Sequence, residues 1–341
     1  MLGARVLLAA LLLGLVACGE SESPAPEVSA DAAQDRAEPN VDATADLNLD
    51  VDPMEQFGTT ASNVFFYYED LAAAEAFYRE LLGLRLVADY GFAKILQVAP
   101  KSFLTLVDAD EGMHSAAEPK TTAIALITDQ LDEWWDYIET LDIDMRSTEY
   151  DPQPGRAHHG FVAIDPEGYF LEFERFNEHP ENVDLLPMLN DIETLYPEPG
   201  TSSVPEGLGF KATVIWFYYK DMAGIQSFYE NTMGFDLIVD QGWAKIYQVG
   251  PTGFFGPVDE TRGMHSFTEE KGVTMSFLTA DIDGWHAYLA ARGVELRHDA
   301  VVNEEPYRAF VAYDPEGYYL EWDVFNDVPA NQALLEALGA R

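Results

Sequence analysis

The sequence predicts an α+β protein of two tandem domains, each assembled from two βαβββ units. Two observations lead there. First, the body of the 341-residue chain is written twice: Asn63–Asp108 returns as Val214–Asp259, with roughly 20 of about 46 aligned positions identical. The echo continues through Gly112-Met113-His114-Ser115 and Gly263-Met264-His265-Ser266, and through Asp165-Pro166-Glu167-Gly168-Tyr169 and Asp314-Pro315-Glu316-Gly317-Tyr318. It ends with Phe176-Asn177 and Leu185-Leu186 against Phe325-Asn326 and Leu334-Leu335. Second, each copy runs strand, helix and three strands, and then begins a similar cycle again.

In chain order, the N-terminus comes first. Arg5 precedes an apolar run, Val6–Val16, that is too short to cross a bilayer and has the length of a signal-peptide core. It ends in Leu15-Val16-Ala17-Cys18, which resembles the lipobox of bacterial lipoproteins. That resemblance implies that Cys18 is lipidated and becomes the first mature residue; the alternative is an ordinary cleaved signal. Cys18 is the sole cysteine, which excludes an intramolecular disulfide. Gly19 in place of Asp implies a Gram-negative outer-membrane address, anchored to the bilayer rather than spanning it and facing the periplasm. Residues 1–17 are therefore expected as signal peptide. Residues 18–60, rich in Glu, Asp, Ala, Pro and Ser, read as an acidic flexible tether. A first domain over 61–178 follows, then a connecting segment over 179–210 containing the Pro197–Ser203 linker, a second domain over 211–327 and a C-terminal helix over 328–341.

Within the copies, Val64–Tyr68 and Ile215–Tyr219 are β-branched and aromatic, and read as strands. Asp70 and Asp221 stand at the N-cap of helices expected over Leu71–Leu82 and Met222–Met233. Phe77, Tyr78 and Leu81 recur at helical spacing, and Gly83 and Gly234 occupy the C′ position. Strands follow at Leu84–Ala88, Phe92–Val98 and Phe103–Val107. The second cycle opens with a strand over Thr122–Thr128 and a helix over Leu131–Leu141 carrying Trp134, Trp135 and Ile138 on one face. Its last hairpin turns at Asp165–Gly168.

Charge narrows the partners. Sixty acidic against 19 basic residues give −41, a field that repels nucleic acid and anionic lipid, so the lipid anchor is the only membrane contact expected. Such a charge favours solubility and says little about fold.

The motifs Tyr68-Glu69-Asp70-Leu71, Phe77-Tyr78, Leu82-Gly83-Leu84 and Asp165–Phe173, repeated at Lys220-Asp221-Met222, Phe228-Tyr229, Met233-Gly234-Phe235 and Asp314–Trp322, resemble the vicinal oxygen chelate superfamily. That group includes glyoxalase I, bleomycin resistance proteins and extradiol dioxygenases. The resemblance implies that two units curl into a cup of mixed sheet holding a metal and a small substrate. The metal takes His, Gln or Glu from each unit's first strand and Glu from its last. Those positions here hold Asn63, Val214, Ala123, Thr274, Thr105 and Gly256, and only the final glutamate remains, as Glu172 and Glu321. One carboxylate does not chelate Fe, Mn or Zn, so no metal site is assigned beyond Glu172 and Glu321 as candidate ligands, and a divalent cofactor stays open.

Strand alternation sets Glu172 opposite Leu171 and Phe173, and Glu321 opposite Leu320 and Trp322, which points both carboxylates into the cups as general bases. The competing reading pairs them with Lys94 or Lys245 as structural ions. His114 and His265 are candidate acid/base groups, against a plainer role in shaping their loops. Phe65, Tyr67, Phe92 and Phe103, with Trp216, Tyr218, Trp243 and Phe254, are candidate ligand-binding walls suited to a flat or apolar molecule, or else simply core.

The function expected is therefore an envelope-anchored, glyoxalase-like protein binding a small aromatic or hydrophobic molecule. The alternatives are a metal-dependent lyase, isomerase or dioxygenase with a non-standard site, and an envelope lipoprotein whose fold serves protein contacts. The sequence leaves open whether the four units close within one chain or pair between chains.

Overall fold

The computed structural model describes residues 47–340 apart from Thr148. The apolar N-terminal run, Cys18 and the tether up to residue 46 lie outside the described residues.

The short helix α1 (Pro53–Gln56) leads into the first unit, β1 (Ala61–Tyr68), α2 (Leu71–Ala76), β2 (Arg85–Asp89), β3 (Ala93–Ala99) and β4 (Ser102–Asp108). The second unit is β5 (Thr122–Ile127), α3 (Leu131–Ile138), β6 (Asp144–Met145), β7 (His158–Ile164) and β8 (Phe170–Phe176), followed by α4 (Leu185–Asp191). The third is β9 (Ala212–Tyr219), α5 (Met222–Asn231), β10 (Asp236–Asp240), β11 (Lys245–Gln248) and β12 (Gly253–Asp259). The fourth is β13 (Val273–Leu278), α6 (Ile282–Ala291), β14 (Val302–Asn303), β15 (Tyr307–Tyr313) and β16 (Tyr319–Phe325), with α7 (Gln332–Ala337) closing the chain.

Local chemistry explains the boundaries. Asp70 accepts from Ala73 N at 2.9 Å and Asp221 from Gly224 N at 3.0 Å, capping α2 and α5. Gly83 at φ 72° and Gly234 at φ 68° end these helices in the left-handed region. In the first copy the α-helix stops at Ala76 and continues as a π-helical turn, Phe77–Leu81, where the sequence predicts one unbroken helix.

The four units form two curled, eight-stranded mixed sheets, and each sheet draws on both halves of the sequence. One sheet runs β14-β15-β16-β13-β1-β4-β3-β2 and the other β10-β11-β12-β9-β5-β8-β7-β6. The first unit thus joins the fourth through antiparallel β1 and β13, with Asn63 opposite Ser276. The second joins the third through antiparallel β5 and β9, with Ala125 opposite Val214. All of this pairing is within one chain. The helix-facing sides of both sheets share one continuous apolar cluster that includes Trp134, Trp285, Tyr229 and Trp322.

The repeated Asp-Pro-Glu-Gly-Tyr turns rivet this arrangement. Buried Asp165 accepts from Tyr68 Oη at 2.6 Å and Tyr78 Oη at 3.0 Å, while its other oxygen accepts from the amides of Glu167 and Tyr169. Asp314 does the same with Tyr219 at 2.7 Å and Tyr229 at 3.1 Å. Tyr169 Oη accepts from Tyr67 N at 2.9 Å and donates to Gly272 O, so it ties the second unit to the first and to the lead-in of the fourth. Tyr318 Oη repeats the bond, accepting from Tyr218 N at 3.0 Å and donating to Thr121 O at 2.9 Å. Each tyrosine therefore fastens one sheet to the other.

Candidate functional site

Side chains on the faces away from the helices meet in two cups. On β16, Leu320 and Trp322 are fully buried toward α6, which sends Glu321 and Asp323 to the opposite face. On β8 the same alternation sends Glu172 and Glu174 inward. Each cup therefore carries an i, i+2 pair of acids on its last central strand.

The cup of units one and four encloses a cavity of about 100 Å³. Phe65, Tyr67 and Phe92 line it from one side, and Tyr307, Val311 and Glu321 from the other, with Arg297 and His298 from the segment after α6. Glu321 and Asp323 are neighbours on one face of β16, and Ser276 Oγ donates to Asp323 at 2.5 Å. Burial and the neighbouring negative charge push Glu321 well above the usual carboxylate range. Burial raises Asp323 to about 7. Two acids so placed hold their protons more tightly than free carboxyls do, so the pair is still partly protonated at neutral pH. Glu321 Oε2 is buried with no hydrogen-bond partner among the described residues.

The cup of units two and three encloses about 90 Å³, lined by Glu172, Glu174, Trp216, Tyr218, Trp243 and His158 among others. Its electrostatics differ. His158 Nδ1 lies 2.6 Å from Glu174 Oε1, and that contact raises the imidazole to about 9. Burial, helped by the charge of Glu174, lifts Glu172 to about 8. At pH 7 this cup thus holds a neutral Glu172 beside an internally balanced His158–Glu174 ion pair.

The positions that would hold a divalent ion do not offer the donors it needs. At Gly256 a Cβ would stand 2.0 Å from the Trp216 ring, so the indole occupies the space a ligand side chain would take. Ala123, Ala125 and Val214 supply no donor atoms. In the other cup, Asn63 Nδ2 donates to Thr105 Oγ1 at 2.9 Å, and Tyr67 Oη lies 2.8 Å from Thr274 Oγ1. Among the described residues, no group of three or more His, Cys, Asp or Glu could hold a metal ion.

The other expected residues fall as follows. Phe65, Tyr67 and Phe92 share a cup with Glu321 of the second copy, whereas Trp216, Tyr218 and Trp243 share one with Glu172 of the first. Phe103 and Phe254 are buried in apolar clusters and are not among the residues lining the two cavities. His114 sits behind Tyr67, with its ring 4.2 Å from Tyr319 and its Nδ1 2.6 Å from Glu118. His265 packs 4.2 Å from Phe170, and burial lowers it to about 4, so it is neutral at pH 7. Neither imidazole is among the residues lining the cavities. The pairing of the cup glutamates with lysine does not occur: Lys94 bonds Asp89 at 2.7 Å, and Lys245 bonds Asp240 at 2.7 Å. The sequence reading missed Glu174, Asp323 and Ser276. The i, i+2 rule applied to Glu-x-Glu and Glu-x-Asp on one strand was the signal that could have found the two acids.

Residues 60–173 match the family described as Glyoxalase/Bleomycin resistance protein/Dioxygenase superfamily. Among solved structures, glyoxalase I from Zea mays aligns with a TM-score of 0.54 at 13% identity, covering 85% of this chain and 99% of that one. A Bacillus subtilis protein described provisionally as a dioxygenase aligns with a TM-score of 0.57 at 14% identity, covering 82% of this chain and 90% of that one. At such identities the likeness is one of fold. No curated protein matches the chain.

Proposed function

Because this chain belongs to the glyoxalase, bleomycin resistance and dioxygenase superfamily, we propose that it uses the family's cups to bind a small, largely apolar molecule without a metal ion. The observation that carries this is the cavity of the first and fourth units: aromatic walls ending on a buried carboxyl oxygen with no hydrogen-bond partner among the described residues. A buried acceptor left unpaired costs roughly 1–3 kcal/mol, which a ligand donating to it recovers. Apolar walls with a few convergent polar groups are the usual make-up of a ligand site.

In the proposed complex, Phe65, Tyr67 and Phe92 exclude water and fix the plane of the ligand, while Glu321 fixes its polar end. Neither cup supplies the donor set that metal-dependent lyase or dioxygenase chemistry requires, and Trp216 fills the place of one ligand in the second cup. Attachment through Cys18 would hold the body at the envelope on its acidic tether. Cys18→Ala should abolish incorporation of labelled palmitate.

The direct test is thermal unfolding of the purified protein against a panel of small aromatic compounds. Binding at 100 times Kd stabilises by about 2.7 kcal/mol. Absence of any shift across the panel would sink the proposal. So would stoichiometric Mn, Fe, Ni or Zn after loading and desalting.

A further inference from the structure

We infer that the cup of the first and fourth units is built for an organic ammonium ion, an amine carried on a small aromatic or alkyl body, with Glu321 and Asp323 as its counter-charge. This rests on the binding function proposed above and names the ligand class for one of the two cups.

Geometry carries the inference. Glu321 is 8% exposed, lines the cavity, and presents an oxygen with no hydrogen-bond partner among the described residues. Asp323, 2% exposed, stands behind it, and Ser276 holds the far oxygen of the pair. Among the described residues, no lysine, arginine or histidine lies within ion-pair distance of either acid. Arg297 also lines the cavity, and its charge draws Glu321 down against the effect of burial without reaching ion-pair distance, while its guanidinium lies over the Tyr319 ring at 5.3 Å. The remaining polar groups facing the pair are phenols, Tyr67 and Tyr307, with His298 and Glu111 also lining the cavity. A buried acid pair with no cation in direct contact attracts one from outside, and the aromatic walls of Phe65, Tyr67 and Phe92 suit a cation sitting against their faces.

The second cup is the internal contrast. There the same strand position carries Glu174, and His158 lies 2.6 Å away from it, so that cup already contains its counter-ion. A neutral ligand fits it better than a charged one. The two cups, alike in fold, therefore differ in the charge of the guest they accept.

Taking up an ammonium ion beside a partly protonated carboxyl pair favours loss of a proton. The ammonium donates to Glu321 Oε2, the carboxyl that carried the proton ionises, and that proton leaves to the buffer. No bond is made or broken other than that O–H.

The test uses the wild-type protein with 2-phenylethylamine, 2-phenylethanol and phenylacetate as probes in isothermal calorimetry at pH 6.5. The amine is expected to bind about tenfold or more tightly than the alcohol, and the acid not at all. Its apparent enthalpy should differ between phosphate and Tris, in proportion to a released proton fraction between zero and one. Glu321→Gln should weaken the amine about tenfold, and by at least about threefold more than it weakens the alcohol. Asp323→Asn should reduce the buffer dependence, because the amide releases no proton and Glu321 loses its like-charged neighbour, and since that measurement is made on folded protein, a destabilised variant does not confuse it. Equal affinity for amine and alcohol, or an enthalpy independent of buffer in the wild-type protein, overturns the ammonium assignment while leaving small-molecule binding intact. Failure of all three probes, and of the wider panel, overturns both.

Discussion

Asp323→Asn should remove a pH-dependent destabilisation that the wild-type protein carries. Burial holds the folded Asp323 at about 7, against 3.8 for the ordinary side chain. A group raised on folding contributes stability fully present below its unfolded value and lost as pH rises through its folded one. The window is therefore pH 4 to 7, and wild-type stability should fall across it. Three units at about 1.4 kcal/mol each set an upper bound of about 4 kcal/mol. At 2% exposure, solvent screening takes little from that figure. Glu321 is raised as well, by burial and by the charge of Asp323, so its ionisation adds a loss of the same sign. In the variant, the amide cannot ionise and Glu321 loses its like-charged neighbour, which weakens both losses. The assay is urea unfolding at half-unit steps from pH 5 to 8, read as wild-type minus variant at each pH. Acids shifted the other way, such as Asp89 and Asp240, cancel in that difference. The variant is expected to gain about 2–4 kcal/mol relative to wild type between pH 5 and 8. A difference constant to within about 0.5 kcal/mol would refute the partly protonated pair.

Three further outcomes follow from the same coordinates. His158 should titrate near 9 by NMR, and its contribution through Glu174, present below about 6.5, should fade as pH rises through 9; His158→Gln should show no such fading. Tyr169→Phe leaves Tyr67 N and Gly272 O unpaired between the two sheets, at a cost of about 2–3 kcal/mol in thermal or urea unfolding; a loss under 0.5 kcal/mol would mean water replaces the hydroxyl. Gly256→Ala forces a methyl to within 2.0 Å of the Trp216 ring, so tryptophan emission should shift and stability drop by about 1–3 kcal/mol; an unchanged spectrum would contradict the packing.

Much of the fold was legible because its signals are local. Asp70, Asp221, Gly83 and Gly234 do what capping chemistry asks of them, and the strand starting near Val64 extends to Ala61–Tyr68. The alternation around Glu172 and Glu321 sends both carboxylates away from the helices, as expected. What stayed hidden is non-local. Opposing β1 to β13 or to β5 satisfies the same alternation, because the units are near-copies, so the exchange of quarters left no trace in the pattern. Lys94 and Lys245 recur in both copies for a hairpin bond to Asp89 and Asp240, not for the cups. The Asp-Pro-Glu-Gly-Tyr turn recurs because it fastens sheet to sheet.

Since β1 completes its sheet with β13, the first quarter to leave the ribosome waits for a strand made about 200 residues later. Until then an apolar ribbon stays unpaired on one edge, open to strands from other molecules. Cutting the polypeptide between its two repeats would not yield two separate bodies, because each piece would still hold half of both receptacles.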